Sequence, residues 1–385
     1  MEFRQEIIQT CNPIGVLKAA SKLHPLRARL ILWSAAAKKP KLLTIIIANE
    51  HPINSMKLAQ PFVRLPYQFD ALQLAREIAE LSNDAWMEHP SKLAGNLAIP
   101  LISLNGQRNN DFDGPMASTA ELLSCNYMQQ VMASFGEVLA RSRLMRLNAG
   151  AEVSEHVDFN YHWYSRVRIH IPIITNPQVI FHCGDQAIHM RAGECWIFDS
   201  WRRHKVINAS DQDRIHLVID TSGSSRFWQT VRDMENFGLD DTAPQLKAKI
   251  KVHPYRPGQS VNIKTERYNI APVMAPGELE AIANELIGAI ENNPENDAEL
   301  SNRYRNLLVS LAKDWHETWH IYGYEEAGWV KYRELLGRAA SQLDPNPRAL
   351  INGSNQVGLN PIIMQRLIHA AINVEQMGDY TKTNR

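Results

Sequence analysis

Cysteine is scarce in this 385-residue chain: Cys11, Cys125, Cys183 and Cys195 are too few and too unevenly placed for a disulfide framework, and none pairs as CxxC. A reducing compartment is the expectation. Net charge is missing as well, since 41 Lys and Arg balance 41 Asp and Glu, so no whole-chain field argues for a nucleic-acid partner. Long apolar runs are lacking. Leu30 to Ile47 is oily at both ends, but Lys38, Lys39, Pro40 and Lys41 interrupt it, and it does not read as a membrane span. The opening MEFRQEIIQT carries acids and lacks the basic-then-apolar order of a secretory signal, so a soluble cytoplasmic protein with no membrane partner is expected. Neither GxxxxGK[ST] nor GxGxxG occurs, so ATP and NAD are not implied, and no fixed-period repeat is evident.

What is there is ordinary globular material, 44% hydrophobic and 21% charged, long enough for two domains or one large domain with an extension. The pattern divides into an N-terminal arm (1–65), a central domain (66–240), a polar connector (241–265) and a helical C-terminal domain (266–385). The arm mixes short helical patches such as Leu17 to Leu23 with a β-prone run at Leu42 to Ile47. Leu72, Ala75, Ile78 and Leu81 predict a helix over 70–84, and a second helical pattern runs from Thr119 to Leu139. Between them, LISLNGQRNNDFDGP is a polar loop that either edges a site or is simply solvated.

At about Arg141 the helical pattern gives way to short β-prone segments at 142–147, 166–175, 178–182, 194–198, 204–208 and 214–220, separated by turn residues. That predicts a mainly β core, an antiparallel barrel or jelly roll, with flanking helices. Arg168, His170 and Pro172 alternate with Val167, Ile169, Ile171 and Ile173, and polar side chains directed into a barrel imply an occupied cavity. Beyond the connector, three periodic segments between 276 and 345 and the later LNPIIMQRLIHAAINV predict a helical bundle. Its Trp315, Trp319, Tyr322, Tyr324 and Trp329 either pack the helices together or form a recruiting or dimerising surface, a homodimer being one partner allowed for.

The strongest chemistry sits in His156-Val157-Asp158, followed 46 residues after Asp158 by His204. Two imidazoles and one carboxylate fill one face of an octahedral Fe(II) and leave three positions for an organic co-substrate and dioxygen. On an extended backbone His156 and Asp158 share a side, and His204 must come from a neighbouring strand. Ten residues after His204, Arg214, His216 and Val218 share a face in RIHLVID, where the Arg fork suits one end of a dicarboxylate. An HxD pair alone is a weak signal, and Arg214 alone reads as readily as a partner for a nearby acid.

Taken together, RSRLMRLNAGAEVSEHVDFNYHW, SRVRIHIPIITNP, MRAGECWIFDSWRRHKVIN and DRIHLVID, between Arg141 and Asp220, resemble the aspartyl/asparaginyl β-hydroxylase family of Fe(II)- and 2-oxoglutarate-dependent dioxygenases. They also resemble bacterial free-proline hydroxylases. The resemblance implies a double-stranded β-helix of the cupin type, with Fe(II), 2-oxoglutarate and dioxygen as cofactor and co-substrates. His156 and His204 match the iron-binding histidines, Arg214 the arginine on the distal carboxylate of 2-oxoglutarate, and Arg168 and His170 residues lining the co-substrate site. It further implies hydroxylation of an unactivated C–H of an amino acid, peptide or related natural-product precursor, with succinate and CO2 as co-products. Two departures stand out: Asp158 replaces the Gly of the vertebrate protein-hydroxylating members, and Met145 replaces a serine that helps hold 2-oxoglutarate there. The metal set is therefore His156, Asp158 and His204, as in the proline-hydroxylase-like branch.

Candidate substrate contacts lie beside the ligands in sequence: Arg143, Arg146, Asn160, Tyr161, His162, Trp163, Trp201, Arg202 and Arg203. Each also reads as a surface ion pair or a core aromatic; His162, His182 and His189 are possible metal ligands in isolation, but they fall outside the ordered pattern of the resemblance and read as packing residues or supports for the ligands. Two rival readings remain. His316, Glu317 and His320 form an HExxH match for a zinc peptidase, opposed by Leu311, Trp315 and Trp319 in the same helix and by the want of a third ligand beyond Glu325 or Glu326. The other is a non-catalytic jelly-roll module that binds a peptide or a carrier protein.

Overall fold

In the computed structural model the described residues are 29–32, 41–44, 58–88, 94–239 and 243–374. The chain divides into two units, Met1–Ser55 and Met56–Arg385. In the first, β1 (Arg29–Leu32) pairs antiparallel with β2 (Lys41–Thr44). The helical patch expected at Leu17 to Leu23 lies outside the described residues, as do residues 45–47 of the expected β run.

The second unit is built on β3 (Phe62–Phe69), β4 (Met87–Glu88), β5 (Asn96–Leu104), β6 (Met116–Ser118), β7 (Val138–Leu147), β8 (Glu152–His156), β9 (Val167–Ile174), β10 (Val179–Cys183), β11 (Gln186–Ile188), β12 (Glu194–Phe198), β13 (His204–Asn208), β14 (Arg214–Thr221), β15 (Lys251–His253) and β16 (Lys264–Thr265). The major sheet runs β15-β3-β12-β9-β14-β7-β5-β4, with β6 on β5 and β16 on β7; the minor sheet runs β11-β10-β13-β8. Phe62, Leu147, Trp196 and Phe198 from the first and Val179, Phe181, Cys183 and Val206 from the second share one apolar core, so the two sheets face each other as a double-stranded β-helix.

The other face of the major sheet carries the larger core. Ile169, Ile171 and Ile173 of β9 and Ile215, Leu217 and Ile219 of β14 pack there against helices, because the period of two sends every second side chain outward. The covering helices are α1 (Ala71–Ala79), α2 (Ala120–Ser124) and α3 (Asn126–Ser134). A one-turn α4 (Tyr161–Tyr164) follows His156 and Asp158, and α5 (Ser225–Glu235) and α6 (Pro244–Lys249) come after β14. Burial of one such Ile or Leu contributes roughly 1.5–3 kcal/mol, so the outer face anchors a sheet whose inner face is free to be polar.

Two expectations are corrected. The β structure begins well before Arg141, since β3, β5 and β6 precede it; AIPLIS within β5 is buried on both faces and so shows no alternation, and Pro100 coincides with a register shift against β7. The single helix expected from Thr119 to Leu139 is two. Thr119 caps α2, the chain breaks at Cys125, and α3 restarts where the Glu77 carboxylate accepts from the Tyr127 and Met128 N–H groups, the latter at 2.9 Å. Gly136, at φ +67°, then turns the chain into β7.

The C-terminal part is helical: α7 (Pro276–Glu291), α8 (Ala298–Tyr322), α9 (Glu326–Ser341) and α10 (Leu359–Ile363), the last running into a π turn at Met364–Ile368. Trp315 is fully buried, donates from Nε1 to the Met274 carbonyl at 2.9 Å and packs 4.5 Å from Tyr332 between ring centroids. The helical core also takes in Val157, Tyr164 and Trp201 from the loops of the β unit. Among the described residues, no helix is long and apolar enough to cross a membrane.

Candidate metal centre and adjoining pocket

His156 ends β8 and His204 begins β13, and the antiparallel register pairs them directly, with ring centroids 4.2 Å apart. Asp158 lies just past the strand, its backbone N–H donating to the Ser200 carbonyl at 3.0 Å. One ligand atom from each residue falls within 4.8 Å of the others. The Asp158 carboxylate is 3.9 Å from Nε2 of each histidine, one oxygen toward each. The far ring nitrogens are engaged by carbonyls, His156 Nδ1 with Ser154 at 2.8 Å and His204 Nδ1 with Arg202 at 2.9 Å. That fixes the tautomer in which both Nε2 lone pairs converge. Burial pushes His204 down to about 4, against the opposing pull of Asp158, so its ring is neutral at physiological pH. Two imidazoles and a carboxylate form the donor set that suits Fe(II) with open positions.

The inner face of the major sheet supplies a neighbouring cluster of buried polar side chains. Arg214, His216, Val218 and Asp220 alternate along β14, and the register sets His216 beside Met145 and Pro172, Val218 beside Arg143 and His170, and Asp220 beside Arg168. Arg214 is buried, its recorded hydrogen bond being a 3.5 Å donation from Nη1 to the Met145 carbonyl, and its guanidinium lies 5.0 Å from the Phe181 ring. Burial alone pushes it down to about 9. Both ring nitrogens of His170 and of His216 are buried without a hydrogen-bond partner, as is Arg214 Nε. Ring contacts link this group to the candidate metal site: Phe181 to His216 at 5.3 Å, His216 to His170 at 5.8 Å, His170 to Phe198 at 5.2 Å, and Phe198 to His204 at 4.9 Å. Unpaired buried polar groups cost on the order of 1–3 kcal/mol each, so this cluster carries an unmet demand for hydrogen-bond partners.

A second polar cluster centres on Asp220. Its carboxylate accepts from Arg168 Nε at 3.0 Å and lies 3.2 Å from His162 Nε2 and 4.0 Å from Arg141 Nε. Burial would raise its pKa, but Arg168, His162 and Arg141 outweigh that and hold it well below the usual carboxylate range. Trp163 lies under the Arg168 guanidinium at 4.1 Å. The polar loop before α2 reaches in: Asn110 accepts from Arg141 on its carbonyl at 2.9 Å and from Arg143 on Oδ1 at 3.3 Å, while Phe112 stacks 3.7 Å from the Arg141 guanidinium.

Of the residues flagged by sequence, Arg143, Trp163, Arg168 and His170 are thus gathered around the ligands. Arg146 is not: one residue from Met145, it points out of the opposite face, 3.8 Å from Asp213 and over the Trp86 ring. Asn160 caps α4, accepting from Trp163 N at 3.2 Å, and Trp201 turns away into the helices, donating from Nε1 to Ser354 at 3.0 Å. Arg202 pairs with Asp199 at 3.1 Å and Arg203 with Glu155 at 3.4 Å. Sequence reasoning passed over Asp220, Arg141, Asn110 and Phe112. For Asp220 the signal was present, as the fourth member of the Arg214, His216, Val218 alternation. On α8 the His316 and His320 rings meet at 4.8 Å, yet among the described residues His156, Asp158 and His204 are the one convergent group of three metal-ligating side chains.

Residues 77–223 match the family model described as aspartyl/asparaginyl beta-hydroxylase. The chain is 26% identical over 173 residues to L-proline cis-3-hydroxylase 1 of a Streptomyces species, covering 42% of this chain and 56% of that protein. It is 23% identical over 176 residues to L-proline cis-4-hydroxylase of Rhizobium meliloti, covering 44% and 63%. The match therefore spans less than two thirds of either relative. Among solved structures, a Pseudomonas putida prolyl-4-hydroxylase aligns with a TM-score of 0.28 at 13% identity, over 42% of this chain and 92% of that one.

Proposed function

We propose that the chain, which carries an aspartyl/asparaginyl β-hydroxylase domain over residues 77–223, is an Fe(II)- and 2-oxoglutarate-dependent hydroxylase of an amino acid or a small amino-acid-like molecule. The observation that carries the reading is the buried Arg214 with no acid beside it, joined by one shell of rings to His156, Asp158 and His204. In this reading His156, Asp158 and His204 hold the metal, and Arg214 takes the distal carboxylate of 2-oxoglutarate, with His170 and His216 as further polar contacts. When bound, metal and 2-oxo acid activate dioxygen, one oxygen atom entering a substrate C–H and the other the succinate formed with release of CO2. The chain's own task is to hold, orient and exclude water.

Phe181 and Phe198 wall the co-substrate pocket, and the neutral state of His204 keeps a proton from competing for the metal position. Arg143 and Arg168 supply positive charge on the Asp158 side, where the substrate's carboxylate would be received while Trp163 holds the Arg168 plane in place. The L-proline named for both curated relatives makes a free amino acid the first substrate to try.

The test is an anaerobic titration with Fe(II) and 2-oxoglutarate, read by the visible charge-transfer band of the chelate, in wild type and in His204→Ala. A band in wild type that disappears in the variant is the expected result, followed by succinate release with L-proline and other amino acids. A folded wild type that shows no band overturns the proposal.

A further inference from the structure

The C-terminal helices grip the two chain segments that carry the ligands. In His156-Val157-Asp158 the alternation that turns both ligands to one side turns Val157 to the other, and Val157 enters the helical core at 8% exposure. Three residues before His204, Trp201 enters the same core, also at 8%. Arg366, on the π turn after α10, lies between the two segments. Its guanidinium is 4.2 Å from the Trp201 ring and 5.1 Å from the Tyr164 ring, its Nε donates to the Phe159 carbonyl at 3.2 Å, and its Nη1 meets Glu285 of α7 at 3.1 Å. Asn355 Nδ2 donates to the Trp201 carbonyl at 3.2 Å, and the Tyr161 hydroxyl donates to Glu278. Across the joint, Asp158 N–H bonds the Ser200 carbonyl, so the segments also hold each other.

We propose that the helical region sets the spacing between Asp158 and His204, with Arg366 as the positioning residue at the joint; this rests on the metal reading above. Arg366 is 2% exposed and touches both segments at once, by a hydrogen bond to one and a stacked plane on the other. A flat, charged fork of five donors suits that double duty, and Lys does not. Metal sites lose roughly 10–100-fold in affinity when groups supporting their ligands are removed, because the ligands then sample geometries in which they do not converge.

The experiment measures Fe(II) affinity by competition with a chromogenic chelator, together with the charge-transfer band, on the full chain in wild type, Arg366→Met, Arg366→Lys and Tyr304→Phe. Tyr304→Phe removes a buried hydroxyl that bonds Asn360 at 2.7 Å and Asp344 N–H at 2.8 Å, so it weakens the same helical core without touching either ligand segment. The expected result is Fe(II) affinity about 10-fold or more weaker in both Arg366 variants, with a shifted or broadened band, and Tyr304→Phe within about 2-fold of wild type. Trp201→Phe, which keeps an aromatic ring but loses the Nε1 donor and part of the stacked area under Arg366, reads the same joint if Arg366→Met fails to fold, and should give a smaller loss of the same kind. Wild-type affinity and band in the folded variants, or an equal loss in Tyr304→Phe, overturns the inference. A silent wild type instead overturns the metal reading itself, so the two failures are distinct.

Discussion

Replacing Arg214 by Met should make the ligand-free protein more stable while removing its affinity for 2-oxoglutarate. Burial alone moves the Arg214 pKa from 12.5 to about 9, and that difference corresponds to about 5 kcal/mol of unfavourable ionisation in the folded state. The sign follows from the direction: the penalty is full at every pH below about 9 and is relieved only as pH rises from there toward 12.5. Relaxation reduces what an experiment recovers, and exchanges of buried ions for apolar residues of similar volume gain about 1–4 kcal/mol. Arg214→Met should therefore raise the free energy of unfolding by about that much at pH 7, seen as a higher urea midpoint. The ligand arm runs the other way. At 100 times its Kd, 2-oxoglutarate should protect Fe(II)-loaded wild type by about 2.7 kcal/mol and protect the variant hardly at all. A variant less stable than wild type would mean that Arg214 has a counter-charge after all, and equal protection would remove the dicarboxylate from this pocket.

Asp220→Asn should destabilise the protein by about 3–5 kcal/mol in urea denaturation, because it strips the one carboxylate bonded to half-buried Arg168 and buried His162 and leaves their charge and polarity unmatched; a loss under about 1 kcal/mol would refute that role. Burial also depresses His162, to about 3, His204, to about 4, and His170 and His216 well below the ordinary value. The unfolded chain takes up these protons near pH 6.5 while the folded chain resists, so their contribution is complete above that pH and is lost as pH falls toward 4. Unfolding free energy of the metal-free protein should fall across that window by up to about 1.4 kcal/mol per pH unit for each histidine, and His216→Phe should reduce the slope by about one proton. A flat profile between pH 6.5 and 4.5 would contradict it.

Residue order made the jelly roll and the convergence of His156, Asp158 and His204 legible, since alternation along β9 and β14 and the HxD…H order are local properties of the sequence. Other features had no local signal. β5 hid because a strand buried on both faces shows no alternation, and the break at Cys125 hid because it depends on Glu77, which lies on another helix. Arg146 and Trp201 stood beside the ligands in sequence yet point elsewhere, one by strand parity and the other by the pull of an apolar core.

Most strands from β7 to β14, the donor chemistry and the cationic lining were readable in the residues alone, because these follow from side-chain identity and period. Tertiary structure decided which cations remain unpaired. Asp220 lies six residues along the same strand from Arg214, out of its reach, and pairs with Arg168 because strand register sets the two side by side; register depends on how two distant segments meet. It also decided the place of the C-terminal helices: nothing in their amphipathic pattern names Val157 and Trp201 as the surface they cover, since burial of an apolar stripe is non-directional and only shape selects its partner.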